Sequence, residues 1–67
     1  MSDVITVAET IMKRATVEAV SWRAGGYRAT VEDERIDGRV TIECPYGADN
    51  AMEILADIVI SRLRDTV

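Results

Sequence analysis

Few side chains in this 67-residue chain could do chemistry: one cysteine, Cys44, a run of carboxylates at Glu32-Asp33-Glu34, further acids at Asp37 and Asp49, and a set of arginines. No histidine is present. Nucleophilic catalysis by Cys44 or a serine therefore lacks its usual base. The carboxylate next to the thiol, Glu43, belongs to the same alternating run and must point to the opposite face of a strand. Glu32-Asp33-Glu34 could in principle share protons or hold a cation. Lying beside a hairpin turn with Arg28 and Arg35 nearby, they read instead as a solvated charged surface. Asp33, Asp37 and Asp49 lack the spaced oxygen ligands and closing Glu of a calcium loop. No glycine-rich phosphate loop occurs. The expectation is a non-enzymatic protein with no catalytic residue, metal site or cofactor.

What remains is contact chemistry. Twelve acidic side chains stand against eight basic ones, a net charge of −4. That balance favours basic partners and repels nucleic acid and anionic membranes. Every basic residue except Lys13 is an arginine, whose planar fork pairs with carboxylates or phosphates. A lone Cys44 cannot close an internal disulfide, and it reads as a small buried apolar residue in a reducing compartment. No apolar run approaches the roughly 20 residues that span a bilayer, and no charged segment followed by an apolar core opens the chain. The protein is read as cytoplasmic. With 48% hydrophobic residues, residues 1–67 can form one small domain; at this size it buries only about 60% of the surface its unfolded chain exposes.

The elements follow from periodicity. Ser2 and Asp3 offer a cap, after which Val4, Val7, Ala8, Ile11, Met12 and Ala15 recur at the spacing of one helix face. A strand over Val4 to Val7 is the competing reading, because β-branched residues are dense there. From Thr16 the period becomes two, and Gly25-Gly26 between two alternating runs suggests a tight hairpin. Pairing across it would set Ala24 opposite Tyr27, Trp22 opposite Ala29 and Val20 opposite Val31, with Trp22 in the core. A turn near Asp37-Gly38 leads to a third strand in which Val40, Ile42 and Cys44 alternate with Arg39, Thr41 and Glu43, ended by Pro45. A two-residue loop there would oppose Glu32 to Glu43. A longer loop brings Arg39 near Glu32 or Glu34 and Glu43 near Arg28 or Thr30, and is preferred on charge. From Ala48 to Asp65 a helix is expected, with Asp49 or Asn50 as its cap and an apolar stripe of Met52, Leu55, Ala56, Val59, Ile60 and Leu63. Ile54 and Ile58 lie on a flank outside that stripe, and are covered either by the first helix or by a second copy as a homodimer face.

The fold class is thus α+β, an α-β-β-β-α order with a three-stranded antiparallel meander and two helices packed on one face. The opposite face should carry Ser21, Arg23, Arg28, Thr30, Glu32, Arg39, Thr41 and Glu43. Tyr46 and Ile36 are candidate exposed contacts, with packing onto the core as the alternative for each. In length and element order the chain resembles the double-stranded-RNA-binding domain. That resemblance implies a second helix opening with Lys-Lys-x-Ala-Lys, whose lysines meet phosphates. Setting Ala51 on the motif alanine puts Ala48, Asp49 and Met52 where the lysines belong. The resemblance is one of architecture.

The leading functional expectation is a protein-interaction module that binds a host protein or nucleoprotein complex through Glu32, Asp33, Glu34 and Asp37. Small acidic domains without catalytic groups are common among inhibitors carried by phages and other mobile elements, anti-CRISPR proteins included. One alternative is nucleic-acid binding through Arg23, Arg28 and Arg39 on the sheet. Another is a homodimeric structural or assembly factor using Ile54 and Ile58.

Overall fold

The computed structural model describes residues 3–21 and 25–65. Its elements run α1 (Asp3–Met12), β1 (Thr16–Ala19), β2 (Tyr27–Asp33), a short 3-10 turn (Glu34–Ile36), β3 (Gly38–Cys44) and α2 (Ala48–Asp65). The strands form an antiparallel meander in the order β1-β2-β3. Both helices pack on one face of it, giving the small α+β domain that the periodicities predict.

The first apolar stretch is helical. Ala8 and Ile11 are buried, and Val4, Val7, Met12 and Ala15 pack against the core from its margin. Helical spacing outweighs the β-branched content because it brings these side chains onto one stripe that can leave water together. The helix ends at Met12, where the N–H groups of Arg14 and Ala15 donate to the carbonyls of Ile11 and Met12 and tighten the exit into β1. In α2, Ala51, Leu55, Val59 and Leu63 form the buried row, spaced four apart. Met52, Ile58 and Ile60 pack at its margins. Ala51 belongs to this row although the predicted stripe begins one residue later. Neither Asp49 nor Asn50 caps the helix as a side-chain acceptor. The Asn50 amide instead donates back to the Tyr46 carbonyl at 2.6 Å.

The second hairpin has the longer connection that charge favours. Arg28 pairs with Glu43, Thr30 with Thr41, Val31 with Val40 and Glu32 with Arg39. The 3-10 turn makes this register possible. Asp33 accepts from the Arg35 N–H, and Asp37 takes up a left-handed backbone at φ 66° before Gly38 at φ 105°. Ile36, a candidate exposed contact at the tip, is fully buried, because the turn folds it back under the sheet. Arg62 of α2 donates to its carbonyl at 3.3 Å and holds it there.

The first hairpin differs from the tight one expected. Ala29 lies opposite Val17, and Tyr27 opposite Ala19. The strands are joined by residues 20–26, with the Val20 N–H donating to the Gly26 carbonyl. Gly25, at φ 74°, does not serve a two-residue turn. Its carbonyl accepts from the Gly47 N–H at 3.0 Å, and a Cβ there would lie 3.3 Å from the Pro45 carbonyl. Gly25 is used for close approach to the β3–α2 connection. The shift from the expected pairing is odd, so the two faces of β1 exchange: Thr16 and Glu18 point outward and Val17 packs on the core. Val20 is buried at 7% beyond the strand end, outside the main core cluster. The readings on Ser2, Trp22, Arg23 and Ala24 fall outside the described residues.

Candidate functional site

The outer face of the sheet is left uncovered by the helices, and its side chains form three cross-strand rows set by the registers above. Glu18, Arg28 and Glu43 make the first row, one from each strand. Thr16, Thr30 and Thr41 make the second. Glu32 and Arg39 make the third. Opposed side chains on one face of antiparallel strands stand close enough to interact directly, so the order of charges along each strand decides who pairs.

Arg28, on the central strand, is enclosed by acids. Its Nε and Nη2 donate to Glu43 Oε2 at 3.0 and 2.8 Å, and its Nη1 reaches Glu18 Oε2 at 3.3 Å. Hydrogen bonding to Glu43, aided by the charges of Glu43 and Glu18, pushes the guanidinium pKa up from its ordinary value. Thr30 and Thr41 share a hydroxyl contact at 3.4 Å. Arg39 and Glu32, both well exposed, approach to 3.8 Å. Three glutamates against two arginines leave this face net negative among the described residues, with each arginine already facing a carboxylate.

The predicted contact acids separate. Glu32, Glu34 and Asp37 are exposed at the end of β2 and on the connection that follows. Asp33 does not join them, because its parity turns it toward the helical side, where it is 8% exposed. Both its oxygens receive the Arg35 guanidinium at 2.9 Å, Oδ1 also accepts the Arg35 N–H at 2.8 Å, and Arg14 comes within 3.5 Å. Hydrogen bonds from the Arg35 side chain and backbone hold its carboxyl well below the usual range against the opposing effect of desolvation. Asp33 is a joint between β2, the 3-10 turn and the residues after α1.

Of the three arginines expected on the sheet, Arg28 and Arg39 stand there, already facing acids, and Arg23 lies outside the described residues. Ser21 is exposed but lies past the end of β1. Tyr46 is 77% exposed. Ile58 packs against the core, whereas Ile54 remains 42% exposed on the same flank. α1 lies along the other side of α2, beside Met52, Ala56 and Ile60, and so does not cover Ile54. Glu18 is the face residue that the sequence reading missed. Its signal was legible, since the tight hairpin would have driven this charge toward the core together with Val20.

Cys44 is a free, buried thiol on the inner face. Among the described residues no group of three His, Cys, Asp or Glu side chains is placed to hold a metal ion, and no helix is long and apolar enough to cross a membrane. A scan against family models, a search of curated proteins and a search of solved structures each returned no match. At the start of α2, Ala51 is buried and Asp49 exposed, so the first turn offers a carboxylate where the double-stranded-RNA-binding motif has lysine.

Proposed function

We propose that this domain is a non-enzymatic interaction module that engages a basic surface of a partner protein or nucleoprotein complex. The observation that carries the reading is the uncovered sheet face, where Glu18, Glu32 and Glu43 outnumber Arg28 and Arg39. Glu34 and Asp37 extend the negative surface onto the β2–β3 connection. A pleated, β-branched row of threonines between the charged rows supplies a flat contact area, and the acids steer association with a basic target. In the same reading the module acts by occupancy, as an inhibitor carried by a mobile element would, obstructing a basic groove without chemistry of its own. Binding of nucleic acid through the sheet arginines is disfavoured by the same geometry, because a phosphate would have to displace Glu43 and Glu18 from Arg28, or Glu32 from Arg39.

The test is affinity capture from lysate of the source organism at low and high salt, run in parallel with wild type and with a Glu32→Lys/Glu34→Lys/Asp37→Lys variant. The expected result is one stoichiometric, salt-sensitive protein complex retained by wild type and lost by the variant. Equal retention by both, or recovery of nucleic acid alone, overturns the reading.

A further inference from the structure

On the helical side of the domain an open groove of about 490 Å³ lies between α1 and α2. Its lining is apolar along both walls, with Ile5 and Met12 from α1 and Met52 and Ile60 from α2. Ile5 is 43% exposed, one of few large apolar side chains so placed among the described residues. The polar residues that line it are Glu9, Asp49 and Glu53, all exposed and all acidic, with no Lys or Arg in the lining. Unlike the glutamates of the sheet, these three form no salt bridge among the described residues.

We infer that this groove receives a basic amphipathic helix of a partner protein. An amphipathic helix laid between two helices buries its apolar residues, spaced three and four apart, along the groove floor. Lysines or arginines on its flanks then meet both rims, since Glu9 lies on one wall and Asp49 and Glu53 on the other. The two methionines suit such a guest, because an unbranched thioether side chain adapts its rotamers to the ridge that enters. Charge complementarity selects among occupants. A second copy docked symmetrically through this groove would set each acidic rim against its own copy, and an anionic membrane would meet the same repulsion. The groove lies away from the outer sheet face, so this inference stands independently of the sheet reading.

The experiment uses the whole chain and a fluorescein-labelled synthetic Leu/Lys peptide of about 18 residues, roughly five helical turns, with leucines at i, i+3, i+4 and i+7. A scrambled peptide of identical composition and a Leu/Glu helix serve as controls, followed by fluorescence anisotropy. Saturable one-to-one binding of the Leu/Lys helix is expected, weaker by at least about tenfold for the scrambled peptide and absent for Leu/Glu. The methyl signals of ¹³C-labelled Met12 and Met52 should move on binding. Glu9→Lys/Glu53→Lys, at exposed positions, should weaken the helix by at least about tenfold, while Glu18→Gln/Glu32→Gln/Glu43→Gln on the sheet should not. Equal binding of the scrambled peptide, unmoved methionine signals or insensitivity to Glu9→Lys/Glu53→Lys overturns the inference. Loss of binding only in the sheet variant assigns the peptide to the sheet face and also overturns it.

Discussion

Asp33 is 8% exposed, and its carboxylate is held by Arg35 through side chain and backbone, with Arg14 arriving from beyond α1. Such a group titrates differently in the folded and unfolded chain. Its folded pKa is depressed below the ordinary 3.8, so the stabilisation is present above that value and is lost as pH falls through the region below it. Thermal unfolding followed by circular dichroism from pH 7 to pH 2 should therefore reveal a steeper acid loss in wild type than in Asp33→Asn, with the variant less stable at neutral pH. Parallel profiles would assign the acid sensitivity to other carboxylates. Gly25 is the second residue with a sharp consequence. Its left-handed backbone disfavours any side chain, and a Cβ there would press within 3.3 Å of the Pro45 carbonyl. Gly25→Ala should cost about 1–2 kcal/mol from the backbone conformation alone, read by chemical denaturation.

Among the elements, α2 carries the largest part of the core, and its two sides differ enough to be told apart by substitution. Leu55 is fully buried in the row shared with Ala51, Val59 and Leu63. Leu55→Ala should destabilise by about 2–5 kcal/mol, which for a domain of this size approaches its whole stability. Ile54, one residue earlier and 42% exposed, faces away from that row. Ile54→Ala should change stability by no more than about 0.5 kcal/mol, so paired denaturation curves of the two variants test the orientation of the helix directly. The strands follow a different logic. In the second hairpin, the opposed Arg28–Glu43 and Glu32–Arg39 pairs fix which residues meet. In the first hairpin, the anchoring of Gly25 to the turn after β3 determines the connection.

For the whole molecule, packing both helices on one side creates two unlike surfaces: an acidic pleated face with paired charges, and an apolar helical groove rimmed by unpaired acids. The groove is not self-complementary, because a two-fold axis would set its acids against the same acids, and on the sheet both arginines already face carboxylates of their own chain. The remaining apolar flank is reduced to Ile54, since Ile58 is half-buried against the core. One such side chain is far short of the roughly 800 Å² per partner that a stable interface buries. Multi-angle light scattering at dilute protein concentration should accordingly give a monomer, unchanged by Ile54→Arg. A concentration-dependent dimer lost in that variant would restore the homodimer reading.

The amino-acid sequence by itself determined the element order, the extent of α2 from Ala48 to Asp65, the apolar face of α1 and the preference for a longer connection in the second hairpin, whose register the structure then selected among the pairings charge allows. These are local or near-local properties, read from periodicities of 3.6 and 2 and from charges a few residues either side of a turn. The absence of histidine and the single cysteine likewise directed the proposal toward contact surfaces. Only the tertiary structure decided the fate of Asp33, the burial of Ile36 and the pairing of β1. Ile36 and Gly25 depend on partners distant in the chain, Arg62 and the Pro45–Gly47 turn, whereas Asp33, held mainly by the nearby Arg35, is turned inward by its place in the sheet and reached from beyond α1 by Arg14. A sequence pattern records which side chains leave water together, but not which remote backbone or guanidinium will meet them. The groove between the helices is of the same kind, since Glu9 faces Asp49 and Glu53 across it only when α1 lies beside α2.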